Sequence, residues 1–520
     1  MTKKQPAGKK TAEKESTDSA PAKGSAPARL ATGSDGLDSI LEGGFPANRL
    51  YLLEGDPGTG KTTLALKFLL EGAARGEPVL YVTLSETKEE LLSVAGSHGW
   101  SLEGVSIYEL IPSEESLKTE SQYTIFHPSE VELGETTGAV LNEVERIQPR
   151  RVVFDSLSEM RLLARDPLRY RRQILALKQY FAGRQCTVLL LDDRTSTVGD
   201  LQVQSIAHGV VELEHLALEY GAERRRLRVV KLRGSRYRGG YHDFNIETGG
   251  VEVFPRLVAS EHRQEFARET VTSGVKELDA LLGGGLDRGT STLILGPAGS
   301  GKSSIAAQFV AAAAARGEHA ASFIFDEGRD IYLARAAGLG KEMKEHVESG
   351  LLSVQQIDPA ELSPGEFAYR VRRAVAHDGA RFVVIDSLNG YLQSMPDERF
   401  LNAQMHELLT YLNQSGVVTV LVMAQHGFMG SNMGTPVDVS YLADTVLMLR
   451  FFEAAGAVRR ALSVVKRRTG YHENTIREMR LSSEGVMVGE PLSDFHGVLT
   501  GVPVYSKRSA RLLKEEDADA

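Results

Sequence analysis

Cysteine is all but missing from this chain: Cys186 is the only one among 520 residues. An internal disulfide cannot form, and a cysteine-based zinc module is excluded. Tryptophan is as scarce, with Trp100 alone, so a groove that stacks bases on indole rings is not expected. No apolar run approaches the ~18 residues of a membrane span. The lysine-rich N-terminus lacks the apolar segment of a secretory signal, so a cytoplasmic location is expected. Positive charge is not in excess either, since 60 Lys and Arg against 69 Asp and Glu leave a net charge of −9. That balance gives no global attraction to nucleic acid or an anionic membrane. Residues 1–29 contain no Leu, Ile, Val or Phe, too little to bury, and are expected to be a solvated tail. Residues 506–520, basic and then acidic, are expected to be a second tail.

What the chain has is a phosphate-cradling loop, twice. Gly55-Asp56-Pro57-Gly58-Thr59-Gly60-Lys61-Thr62 and Gly296-Pro297-Ala298-Gly299-Ser300-Gly301-Lys302-Ser303 both fit G-x-x-x-x-G-K-[ST]. Glycines let successive backbone N–H groups turn onto the phosphates. The lysine adds a point charge, and the hydroxyl of Thr62 or Ser303 can ligate Mg²⁺. Thr63 and Ser304 follow each loop. Each copy comes after an apolar run, Arg49–Leu53 or Ser291–Leu295, and before a helix-like one, the setting that the motif requires. ATP and Mg²⁺ are the expected ligands.

The repeat extends well past the loops. Leu37 and Leu278, Lys61 and Lys302, and Glu86 and Glu327 are each 241 positions apart. Arg151–Leu157 returns as Arg381–Leu388, and Lys231-Leu232-Arg233 as Lys466-Arg467-Arg468, at offsets of 231 and 235. A period this long means a duplicated domain, expected at 30–258 and 259–505 with a linker over Pro255–Arg268. In each half short apolar runs alternate with helical ones such as Leu64–Arg75 and Ile305–Arg316. That alternation predicts an α/β fold, a mostly parallel sheet with helices on both faces and ligands at the carboxyl ends of the strands.

Asp155 and Asp386 each end an apolar run, where an acid can hold the metal of a P-loop site or merely cap the next helix. Glu86 and the pair Asp326-Glu327 end the strand after the P-loop helix. A carboxylate there can orient or deprotonate a nucleophile, or simply complement a helix dipole. Lys231 with Arg233, and Lys466 with Arg468, stand at alternate positions. On a strand both would face one side and could reach a neighbouring subunit's γ-phosphate, or else protect a sheet edge.

Taken together these residues resemble the KaiC family, the two-domain RecA-like ATPases of the bacterial circadian clock and their clock-less relatives. The resemblance covers residues 30–490. It rests on both P-loops, Thr83-Leu84-Ser85-Glu86-Thr87, Ser97-His98-Gly99-Trp100, Lys231-Leu232-Arg233-Gly234 and Phe428-Met429-Gly430-Ser431. It implies two tandem RecA-like P-loop NTPase domains stacked as two rings of a homohexamer, with ATP between subunits. By resemblance the first ring hydrolyses ATP and the second phosphorylates the adjacent subunit. Glu86, Asp326 and Glu327 would be the catalytic carboxylates, working with Lys61 and Lys302. Metal ligands would be Thr62, Asp155, Ser303, Asp326 and Asp386. Nucleotide would be held by Gly55, Gly58, Thr59, Gly60 and Ser97 in the first site, and by Gly296, Gly299, Ser300 and Gly301 in the second. Lys231, Leu232, Arg233, Lys466, Arg467 and Arg468 would come from the neighbour. The phosphoacceptor falls on Ser440, followed by Tyr441 where clock members have threonine; the matching stretch Val203–His208 has no hydroxyl at that place. Ser85 replaces the first of two adjacent carboxylates, and Leu339 stands where an aromatic would flank adenine. A KaiB-like or other signalling partner is implied, and nucleic acid is not. The rival expectations are a DNA-handling ATPase like the related RadA recombinases, and a nucleotide-gated scaffold.

Overall fold

The computed structural model describes Thr2 and residues 28–110, 128–164, 166–194, 202–218, 220–393, 400–425, 442–454, 456–499 and 504–505. Ser440, Tyr441, Phe428–Ser431 and nearly all of both tails lie outside the described residues.

Two nine-stranded sheets form the frame. The first contains β1 (Leu50–Gly55), β2 (Val79–Thr83), β3 (Val105–Glu109), β4 (Arg151–Asp155), β5 (Thr187–Asp193), β6 (Gly209–Leu216), β7 (Arg224–Leu232), β8 (His242–Glu247) and β9 (Gly250–Phe254). The second contains β10 (Ser291–Gly296), β11 (Ala320–Ile324), β12 (Leu352–Gln356), β13 (Phe382–Asp386), β14 (Val418–Ala424), β15 (Thr445–Ala454), β16 (Ala457–Arg467), β17 (Arg477–Ser482) and β18 (Gly485–Pro491). Spatial order is β3-β2-β4-β5-β1-β6-β7-β8-β9 in one and β12-β11-β13-β14-β10-β15-β16-β17-β18 in the other. The two topologies are the same. In each, six strands run parallel and three antiparallel strands extend one edge.

Central strands are apolar nearly throughout because helices cover both faces. Leu52, Leu80, Val152 and Leu190 point into one layer, and Tyr51, Tyr81, Val153 and Leu189 into the other. The P-loop helices are α1 (Lys61–Ala74) and α4 (Lys302–Ala315); α2 (Lys88–Ser97) and α5 (Arg329–Gly338) follow the next strand in each domain. Arg151, fully buried, bonds Glu77 at 2.6 Å and the carbonyls of Ala31 and Phe68, tying the domain's first segment to β4. The linker is irregular apart from one short 3-10 turn, Ala259–Glu261, and its Leu257 and Ala259 pack in the second domain's core.

The domains meet along β8. Alternation sends Phe244 and Ile246 toward the first P-loop and Asp243 and Asn245 toward α6 (Pro364–Ala376) of the second domain. Asp243 accepts from the Gly365 N–H at 2.7 Å, and Asn245 donates to Glu366 at 2.6 Å. Among the described residues no helix is long and apolar enough to cross a membrane.

Candidate active sites

Register decides which residues meet at each site. Gly55 lies beside Asp193 of β5 and Leu213 of β6, and Thr83 beside Asp155. The carboxyl ends of β1, β2, β4 and β5 therefore gather the P-loop, Glu86, Asp155 and Asp193 at one edge. The same register in the second sheet gathers Gly296, Asp326-Glu327 and Asp386, with Ala424 where the first has Asp193.

The two loops share a backbone. Gly60 and Gly301, the residues before α1 and α4, have φ of 92° and 101°, a left-handed conformation that favours glycine. A Cβ on Gly60 would sit 2.4 Å from Cδ1 of Ile246, and one on Gly301 2.8 Å from Cε of Met479. The antiparallel edge strands thus press on the loop just where the helix N–H groups open toward an anion. Thr59 and Ser300 are buried, and their N–H groups donate at 3.3 Å to the carbonyls of Asp56 and Pro297, closing the turn of each loop. Ser97 ends α2, beside the turn where the Gly249 N–H donates to the His98 carbonyl; it flanks the same β8–β9 hairpin that carries Ile246.

In the first site the Lys61 ammonium donates to the carbonyls of Gly55 and Asp56 and pairs with Asp193 at 2.8 Å. The Thr62 hydroxyl donates to Asp155 at 3.4 Å, and the Tyr81 hydroxyl to the same oxygen at 2.5 Å. Burial raises the Asp155 carboxyl despite the Tyr81 bond. Arg161 pairs with Asp192, whose carboxyl burial still pushes up to about 6. Glu86 stands apart. Its backbone is fixed by Thr83, which accepts from its N–H and donates to its carbonyl. Its Oε2 is buried with no hydrogen-bond partner among the described residues. Burial first, then the charges of Asp155, Glu90 and Asp193, push its carboxyl up to about 7. A carboxylate balanced at neutral pH is suited to accept a proton.

The second site is wired differently. Lys302 donates to the Pro297 carbonyl at 2.8 Å and forms no ion pair with a carboxylate among the described residues. Burial lowers its ammonium against the pull of Asp386 and Asp326. Asp386 is pushed up to about 6 by burial, opposed by the Ser303 hydroxyl and Arg335, and its Oδ2 is buried unpartnered. Ser387 donates to Asp326. Both Glu327 oxygens are taken by Arg335 of α5.

The expected carboxylates, lysines and hydroxyls therefore meet at each P-loop, and the cations at the carboxyl ends of β7 and β16 do not join them. Lys231 pairs with Val210, which lies opposite Leu52, three residues short of Gly55. Lys466 likewise pairs with Val446, opposite Leu293. Each lysine sits roughly 10 Å or more along the strand from its own loop. Lys231 donates to the Gln204 carbonyl and Arg233 to that of Ser205 at 2.8 Å. Lys466 donates to the Ala443 carbonyl, and Arg468 pairs with Asp444 at 3.5 Å. Leu232 is buried, and Arg467 turns aside to Asp287 at 2.8 Å. Sequence reasoning passed over Asp193, Tyr81 and Arg335. Asp193 was findable, because Asp192-Asp193 closes an apolar run just as Asp155 does.

The donor sets fit a nucleotide with a divalent ion: a loop whose Gly60 or Gly301 has no room for a Cβ, a hydroxyl beside a strand-end aspartate, and an Asp386 oxygen with no hydrogen-bond partner among the described residues. A family model described as the KaiC ATPase matches residues 30–258 and again 271–493. The chain belongs to the KaiC family. Both matched regions are KaiC ATPase domains, and the chain is a KaiC-family ATPase. It is 27% identical over 485 residues to the circadian clock oscillator protein KaiC of Acaryochloris marina, with 91% of each chain covered. It is 27% identical over 482 residues to the KaiC of Synechococcus elongatus, covering 92% of both. Against the circadian clock protein KaiC3 of Synechocystis it is 26% identical over 492 residues, covering 92% of this chain and 95% of the relative.

Proposed function

We propose that this KaiC-family chain is a cytoplasmic, magnesium-dependent enzyme that assembles as a homohexamer of two stacked rings. It hydrolyses ATP in domain 30–258 and phosphorylates Ser440 of the adjacent subunit from domain 259–505. Its nucleotide state would be read by a signalling partner. The observation that carries this reading is the split within each domain. P-loop, metal-side acid and glutamate meet at one end of the sheet, while Lys231 and Arg233, or Lys466 and Arg468, lie at the other. Cations so far from their own loop are of use to a triphosphate only in a neighbour's site.

In the first domain, Lys61 exchanges Asp193 for the phosphates, the Gly60–Thr62 N–H groups hold them, and Thr62 and Asp155 would hold the ion. Glu86 Oε2 accepts the proton of the attacking water. In the second, Glu327 takes the proton of the Ser440 hydroxyl, and Lys302, Lys466 and Arg468 hold the γ-phosphate. Ser303, Asp386 and Asp326 hold the ion. Magnesium, when bound, would neutralise charge that builds on the phosphate oxygens.

Phosphopeptide mapping after incubation with Mg-ATP tests the kinase step: label that persists undiminished in Ser440→Ala overturns it. Lys61→Ala should remove most ADP release; if Lys302→Ala does so instead, the roles of the two domains are reversed. Mass measurement with and without ATP tests the hexamer.

A further inference from the structure

Superposing the repeats by their common offset of 241 places Val94 where the second domain has Arg335. Both stand eight residues after the glutamate, on the helix that follows its strand. The consequence for the glutamates is opposite. The ionisable groups acting on Glu86 are Asp155 from β4, Asp193 from β5 and Glu90 from α2. None is a cation, and Oε2 has no hydrogen-bond partner. In the second domain Nε of Arg335 donates to one Glu327 oxygen at 3.3 Å and Nη2 donates to the other. The guanidinium also lies 5.2 Å from the centroid of the Tyr332 ring, so it is packed from behind and aimed. The lysines differ as well: Lys61 is tied to Asp193, while Lys302, with Ala424 at the matching place, donates to the Pro297 carbonyl and has no acid partner among the described residues. One site pairs its lysine with an acid and leaves its glutamate without a cation. The other pairs its glutamate with a cation instead.

We propose that Arg335 is a positioning residue that restrains Glu327 through both oxygens, so that Glu327 can turn to the nucleophile only when this ion pair opens. This rests on the reading of Glu327 as the acid facing the nucleophile. The step concerned forms a bond from the nucleophile oxygen to the γ-phosphorus and breaks the bond from that phosphorus to the β–γ bridging oxygen. ADP leaves, and the nucleophile's proton goes to a Glu327 oxygen. A carboxylate paired through both oxygens with a guanidinium is fixed in direction. The pair thus slows the second site relative to the first, and the residue responsible is absent from the first repeat.

The test uses the full chain carrying Lys61→Ala, so that ADP release in Mg-ATP reports the second site. Arg335→Val and Arg335→Lys are compared with the parent, each with and without Glu327→Gln. Arg335→Val should raise kcat about fivefold, the worth of a partly exposed ion pair, with KM little changed and Arg335→Lys between. Glu327→Gln should cancel the gain. A fall in kcat in Arg335→Val, a gain that appears in KM alone, or a gain that survives Glu327→Gln overturns the restraint. Undiminished turnover in Glu327→Gln with Arg335 intact instead removes the role given to Glu327, and the proposal with it.

Discussion

A proton acceptor that titrates near neutrality leaves its mark on rate against pH, and Glu86 is such a group. Its carboxyl stands at about 7 against an ordinary 4.5, from burial and three acidic neighbours. If it accepts the water's proton, only its ionised form works. About a tenth is ionised at pH 6, about half at pH 7 and about nine-tenths at pH 8, so the rate should climb roughly tenfold across that window. The quantity that follows the free enzyme's ionisations is kcat/KM. The assay is ADP release by Lys302→Ala, which silences the second site, at subsaturating Mg-ATP. Adding Glu86→Gln should lower the plateau by about 100-fold or more and abolish the limb. Asp192, with a carboxyl near 6, could titrate nearby, and the Glu86→Gln profile separates the two. An unchanged limb in Glu86→Gln, or a midpoint near 4.5 in the parent, would falsify the assignment.

The same ionisation has a sign in stability. Folding raises the Glu86 pKa, so its protonated form is favoured in the native state, and stability falls as pH rises from about 4.5 through 7. Glu86→Gln should therefore raise the melting temperature at pH 8, by an amount worth about 1 kcal/mol after allowing for solvent screening, and leave it unchanged near pH 4.5. Asp193→Asn frees Lys61 and removes an anion beside the phosphates. Titration with a fluorescent ATP analogue should show first-site binding tightened about threefold; weakened binding would mean that Asp193 serves the nucleotide instead. Asp243→Ala removes an acceptor from the N-terminus of α6 and should cost about 1–2 kcal/mol in urea unfolding. Asp243→Asn, which keeps an acceptor oxygen, should cost less.

The parts of the site that local chemistry dictates were readable from residue order. Glycine at positive φ, lysine and hydroxyl must stand at fixed offsets for the loop to form, and both copies do. An acid closing an apolar run must lie at a strand's end, as Asp155 and Asp386 do. The duplication made the shared fold legible as well, since one pattern repeated in order specifies one topology twice. What could not be read is electrostatics, because it depends on strand order. Asp193 reaches Lys61 only because β5 inserts between β1 and β4, a contact across 132 positions of chain. Whether Glu86 and Glu327 behave alike turns on a third residue, valine in one helix and arginine in the other, which no motif includes. Glutamates at one offset therefore stand in two hydrogen-bonding environments, and the difference between the domains lies in what surrounds the repeat rather than in the repeat itself.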